Sequence, residues 1–89
     1  MKWIQLSIYG VVQGIGFRNF IKNKAKLLGI KGYVKNEFDG SVTVVAGGND
    51  SQLESLREYI KTGNGYSVVY KMFEKEIPPQ TFVDFFILY

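Results

Sequence analysis

Apolar residues at Ile4, Leu6 and Ile8 alternate with Gln5 and Ser7, and this period of two predicts a half-buried strand ending at Gly10. The period then lengthens. Phe17, Phe20, Ile21, Ala25 and Leu28 fall on one side of a helix, with Lys22, Asn23, Lys24 and Lys26 on the other and Gly29 as its stop. A strand pattern returns over residues 30–36, Asp39 and Gly40 supply a turn, and the β-branched run 41–46 completes a hairpin. Residues 47–50, Gly-Gly-Asn-Asp, break the sheet. Ser51 and Glu54 have capping-box spacing at the start of a second helix, whose apolar stripe is Leu53, Leu56 and Ile60 and whose end is Gly63. Residues 66–73 predict a fourth strand, and residues 82–88 a short fifth, with a local break at residues 77–80 between them.

The resulting order, βαββαβ, is that of a ferredoxin-like α+β sandwich: an antiparallel sheet with two helices on one face, here with a short fifth strand added. In this arrangement the second strand runs parallel to the first with the third between them. The loop after the first strand and the end of the second therefore emerge at one edge, about 10 Å apart. A chain of 89 residues makes one domain, 1–89, with a single core.

Composition narrows the chemistry. The chain has no cysteine and no histidine, which removes disulfides, thiolate nucleophiles, Cys-based metal sites and the commonest acid-base residue and zinc ligand. The net charge of +3 permits anionic partners. The lysines are nevertheless scattered among acids, the balance of an ordinary solvated surface. Neither a signal-peptide core nor a run of membrane-spanning length is present, so the expected location is the cytoplasm, with no membrane partner. No acidic cluster has the residue types for a metal site.

The stretch between the first strand and the first helix, Tyr-Gly-Val-Val-Gln-Gly-Ile-Gly-Phe-Arg, concentrates three glycines and an arginine. A loop of small residues entering a helix exposes backbone N–H groups that the helix cannot satisfy internally, at the positive end of its dipole, and such a place binds anions. Gly14 and Gly16 allow close approach, and Arg18 in the first turn can add a bidentate contact to phosphate. Glycine spacing alone favours a tight connection whose glycines only permit close packing. The third glycine of a dinucleotide fingerprint and the Gly-Lys-Ser/Thr ending of a Walker loop are both missing.

The segment from Gly10 to Arg18, GVVQGIGFR, resembles the signature of the acylphosphatase family, and GYVKNEFDGSV, from Gly32 to Val42, resembles that family's second motif. The resemblance extends over essentially the whole chain. It implies hydrolysis of small acyl phosphates to a carboxylate and inorganic phosphate, without metal or other cofactor. It further implies that the amides of Gln13, Gly14, Ile15, Gly16, Phe17 and Arg18 cradle the phosphate, and that Arg18 and Asn36 are the essential side chains. Val11 departs from the pattern, since many members carry arginine there.

Such chemistry needs no histidine. The leaving carboxylate has a conjugate acid of pKa about 4 and requires no proton from the enzyme. Phosphoryl transfer then depends on positioning and on stabilising charge at the equatorial oxygens. Asn36 is expected to hold the attacking water, and inorganic phosphate to bind the loop as product and inhibitor; taken alone, Asn36 reads first as a strand-end residue tied to nearby backbone, and its pairing with Arg18 reverses that preference.

Two other readings compete. The same element order builds the RNA-recognition module, and Lys31-Gly32-Tyr33 begins like its aromatic motif, yet Val34 and Lys35 stand where a small residue and a stacking aromatic belong. The segment also falls on the second strand, whereas that motif belongs on the third, so no nucleic-acid partner is expected. The remaining reading is a binding domain that keeps the anion cradle without turnover. In related hydrogenase-maturation proteins such a domain is joined to much larger ones; here the simpler expectation is a free-standing, monomeric hydrolase.

Overall fold

The structure, a computed structural model, describes residues 1–89. Its elements are β1 (Lys2–Val11), α1 (Phe17–Leu28), β2 (Lys31–Asn36), β3 (Val42–Gly48), α2 (Asp50–Thr62), β4 (Val68–Glu76) and β5 (Phe85–Leu88). The strands lie in the order β4-β1-β3-β2-β5, antiparallel except that β5 runs parallel to β2. The sheet is therefore mixed, and its parallel edge is the predicted fifth strand. Both helices pack on one face.

Strand alternation builds the core from that face. Ile4, Leu6 and Ile8 of β1, Val34 of β2, Val42, Val44 and Ala46 of β3 and Phe85 of β5 meet Phe17, Ile21 and Ala25 of α1 and Leu53, Leu56 and Ile60 of α2. Sixteen buried residues form this one cluster, so the sheet and both helices share one source of hydrophobic stabilisation.

Several boundaries differ from the sequence expectation, among them the end of β4, which runs to Glu76 rather than residue 73, and four have a local reason. First, β3 runs through Gly47 and Gly48 instead of breaking there, because Gly47 lies under the Trp3 indole, where a Cβ would come within 2.5 Å of the ring. Second, the capping box of α2 is formed by Asn49 and Gln52, two residues before Ser51 and Glu54. Asn49 Oδ1 accepts from the Gln52 N–H at 2.8 Å, and Gln52 Oε1 accepts from the Asn49 N–H at 2.7 Å. Third, β4 starts at Val68 rather than Tyr66, since Asn64 Oδ1 binds the amides of Tyr66 and Ser67 in a turn. Fourth, β5 starts at Phe85 because Phe82 packs across the open sheet face, 6.3 Å from Trp3 and 5.5 Å from Tyr33 between ring centroids. Trp3 is thereby buried by the chain itself. That removes it from the exposed aromatic surface an RNA-binding sheet would need.

Candidate active site

The C-terminal ends of β1, β2 and β5 lie at the same edge of the sheet, which is also where α1 begins. Alternation carries three of their side chains past the end of the core on the helix-covered face. Asn36 follows the buried Val34 by two residues, and Ile87 and Tyr89 follow the buried Phe85 by two and four. Together with Val12, Gly14, Gly16, Phe17, Arg18 and Asn19 they line a cleft of about 310 Å³.

The loop entering α1 is anchored on one side and bare on the other. Val12 and Phe17 are 1% exposed, and Ile15 packs against the same core. Gly14 and Gly16 have φ of 78° and 75°, in the left-handed region that disfavours a side chain, and a Cβ added to either would meet nothing within 4 Å. That open space rules out close packing as the reason for these glycines. The backbone turn requires them, and their N–H groups donate to no protein acceptor.

Helix α1 starts without the usual satisfaction of its first amides. Its N-cap is Gly16, no side chain caps it, and its first turn contains no acid. The earliest main-chain bond is from the Phe20 N–H to the Gly16 carbonyl at 3.1 Å. The N–H groups of Phe17, Arg18 and Asn19 are thus helix donors without helix acceptors, at the positive end of the dipole. Arg18 adds a full positive charge there, with its Cζ 5.1 Å from the centre of the Tyr89 ring.

Asn36 lies across the cleft. Its Oδ1 is buried and accepts no hydrogen bond from the protein. The alternative of a strand-end side chain tied to local backbone is therefore not what the structure contains. An unpartnered buried acceptor costs on the order of 1–3 kcal/mol, so its retention beside an arginine and a row of free amides marks a place where stability has been given up.

Among the residues singled out by sequence, the cleft brings together Gly14, Gly16, Phe17, Arg18 and Asn36. Gln13 and Ile15 have side chains directed elsewhere. Gln13 Nε2 donates to the carbonyls of Glu37 and Ser41 at 2.8 and 2.9 Å, joining the loop to the β2–β3 hairpin that carries Asn36. That hairpin is braced in turn by Asp39, whose Oδ1 accepts from the Ser41 hydroxyl and N–H and whose carboxyl is held below its ordinary range by those two bonds. Sequence reasoning did not single out Val12, Asn19, Ile87 or Tyr89 as cleft residues. Strand alternation past Phe85 would have found Ile87 and Tyr89.

These features define an α+β sandwich of ferredoxin-like topology in which unpartnered helix-terminal amides, an arginine and an unpartnered side-chain amide face one cleft. The family model Acylphosphatase matches residues 4–87. The chain is 51% identical over 85 residues to the acylphosphatase of Fervidobacterium nodosum, an alignment covering 96% of this chain and 93% of that one. The fold superposes on the crystal structure of the acylphosphatase from Bacillus subtilis with a TM-score of 0.96, 33% identity and full coverage of both chains. It also superposes on T. kodakarensis HypF with a TM-score of 0.88 and 30% identity, covering all of this chain and 12% of that much longer one. The chain belongs to the acylphosphatase family.

Proposed function

We propose that the cleft hydrolyses the carboxyl-phosphate bond of small acyl phosphates, the activity of the family, with its own residues in the following roles. The amides of Gln13, Gly14, Ile15, Gly16, Phe17 and Arg18 surround the phosphoryl oxygens, and the Arg18 guanidinium binds two of them. Negative charge on those oxygens is met by fixed dipoles that need no reorganisation during reaction. Asn36 holds the attacking water; because its Oδ1 has no protein partner, a half-turn about Cβ–Cγ can present either end of the amide without breaking a bond.

The water oxygen forms a bond to phosphorus as the bond from phosphorus to the acyl oxygen breaks, and the electron pair leaves with the carboxylate. A phosphoryl oxygen takes the water proton. No protein group needs to change protonation state, in keeping with a chain that has no histidine. Because the leaving group is already a stable anion, the step needs neither a general acid nor a metal, and we propose that the enzyme works without one. The reading extends to a single cytoplasmic domain, 1–89, active as a monomer.

The observation that carries the reading is the convergence of free helix-terminal amides, Arg18 and the unpartnered Asn36 on one cleft. Inorganic phosphate, the product, tests it. Phosphate at millimolar concentration is expected to shift the amide NMR signals from Gln13 to Arg18 and to inhibit benzoyl phosphate hydrolysis competitively. Unshifted signals would count against the cradle.

A further inference from the structure

Between the two left-handed glycines of the loop lies the peptide unit joining Ile15 to Gly16. Turning that unit over requires changes only in ψ of Ile15 and φ of Gly16, and glycine offers little resistance to such a change. A turned unit would direct the Ile15 carbonyl where the Gly16 N–H had pointed, setting the negative end of a peptide dipole against an anion.

One side chain opposes this. Asn64, in the connection between α2 and β4, donates from Nδ2 to the Ile15 carbonyl at 2.9 Å, across 49 positions of sequence. The other end of the same amide is fixed as well, since Asn64 Oδ1 accepts from the Tyr66 and Ser67 N–H groups, both at 3.0 Å. The Asn64 N–H donates to Ser67 Oγ at 3.2 Å. The acceptor end thus locks the turn, and the donor end is left aimed at the loop. Every peptide in the chain is trans, and in a planar trans unit the C=O and N–H point in opposite directions. A carbonyl held toward Asn64 therefore sends the Gly16 N–H away from Asn64, and Gly16 lines the cleft while Asn64 does not.

We infer that Asn64 is a positioning residue for phosphate binding: by holding the Ile15 carbonyl it keeps the Gly16 N–H directed into the cleft. The inference rests on the cradle reading above and adds to it a residue from outside both family motifs quoted from the sequence. Asn64 acts through Gly16 and does not touch the substrate.

Two variants separate this role from that of the turn. Asn64→Asp keeps the carboxyl-type acceptor for the Tyr66 and Ser67 amides, and Asn64→Ser keeps an uncharged hydroxyl for them. The first has no donor, and the second ends one bond short of Ile15. The inhibition constant for inorganic phosphate and the phosphate-induced shift of the Gly16 amide signal are measured for both, beside the wild type. In both variants the constant is expected to rise about five- to tenfold, the change expected for one neutral hydrogen bond. The Gly16 signal should lose its response to phosphate while Arg18 keeps one. Wild-type constants and a normal Gly16 response in both variants would overturn the inference and leave the cradle standing. Phosphate that moves no loop amide in the wild type would overturn the cradle, and the inference with it.

Discussion

The two helices begin at opposite ends of the same sheet and in opposite electrostatic states. Helix α2 starts with a complete capping box between Asn49 and Gln52, has Asp50 in its first turn, and lends the Gln52 side chain to the Leu28 carbonyl at the end of α1. Helix α1 starts at an uncapped glycine, has no acid in its first turn, and carries Arg18 where the dipole disfavours a cation. A cap is typically worth about 1 kcal/mol and a charge placed well on the dipole about 0.3–1 kcal/mol, so the α1 start forgoes stability that the α2 start keeps. The difference is the one the proposed function requires: in that proposal a bound phosphate does at the start of α1 what Asn49 and Asp50 do at the start of α2.

The contrast is broken most strongly by removing the groups at the α1 end. Arg18→Ala and Asn36→Ala are each expected to lower kcat for benzoyl phosphate by roughly a hundredfold to a thousandfold, the scale of a lost oxyanion-hole donor. Their unfolding midpoints should not fall, because neither side chain holds the core together, and that of Asn36→Ala should rise with removal of the unpartnered buried acceptor. Turnover in EDTA together with thermal melts checks both halves of this expectation.

A smaller and opposite effect is expected at the α2 end. Asn49→Ala should destabilise the fold by about 1 kcal/mol, read from urea unfolding, through loss of the Asn49 bond to the Gln52 N–H. Its kcat should be unchanged, since Asn49 lies at the far edge of the sheet.

The smallest effect concerns the pair between α2 and β4. Arg57 donates from Nε and Nη2 to Glu74 at 2.6 and 2.8 Å, and this pairing lowers the Glu74 carboxyl below its ordinary value of 4.5. A lowered folded value means that stability from the pair is present above the unfolded carboxyl range and is lost as pH falls through the folded one. Glu74→Gln should therefore cost up to about 1 kcal/mol at pH 7. Its curve of stability against pH should converge with that of the wild type as both become acidic. A difference that persisted unchanged at low pH would contradict the assignment.

Much of this was legible in the sequence, and the exceptions share a cause. The alternation of Ile4, Leu6 and Ile8 and the helical stripe from Phe17 to Leu28 predicted their elements because each segment buries one side against a single core. The motif residues Gly14, Gly16, Phe17, Arg18 and Asn36 do share one cleft. What local pattern could not express was contact at long range. The glycine pair in β3 reads as a break until Trp3 is seen lying over Gly47. Asn49 with Gln52 and Ser51 with Glu54 have the same spacing, and only the packing of α2 chooses between them. Asn64 in Thr-Gly-Asn-Gly-Tyr reads as a turn residue, which it is; that its other end reaches Ile15 depends on the fold. Tyr89 was visible as a terminal aromatic, but its ring beside Arg18 follows from β5 pairing in parallel with β2.

The central claim, that the start of α1 serves catalysis while the start of α2 serves stability, is tested most directly by measuring benzoyl phosphate turnover and the unfolding midpoint side by side for Arg18→Ala and Asn49→Ala. The account predicts a crossed result: Arg18→Ala loses turnover and keeps its midpoint, and Asn49→Ala loses stability and keeps its turnover. Full turnover by a folded Arg18→Ala variant would contradict it.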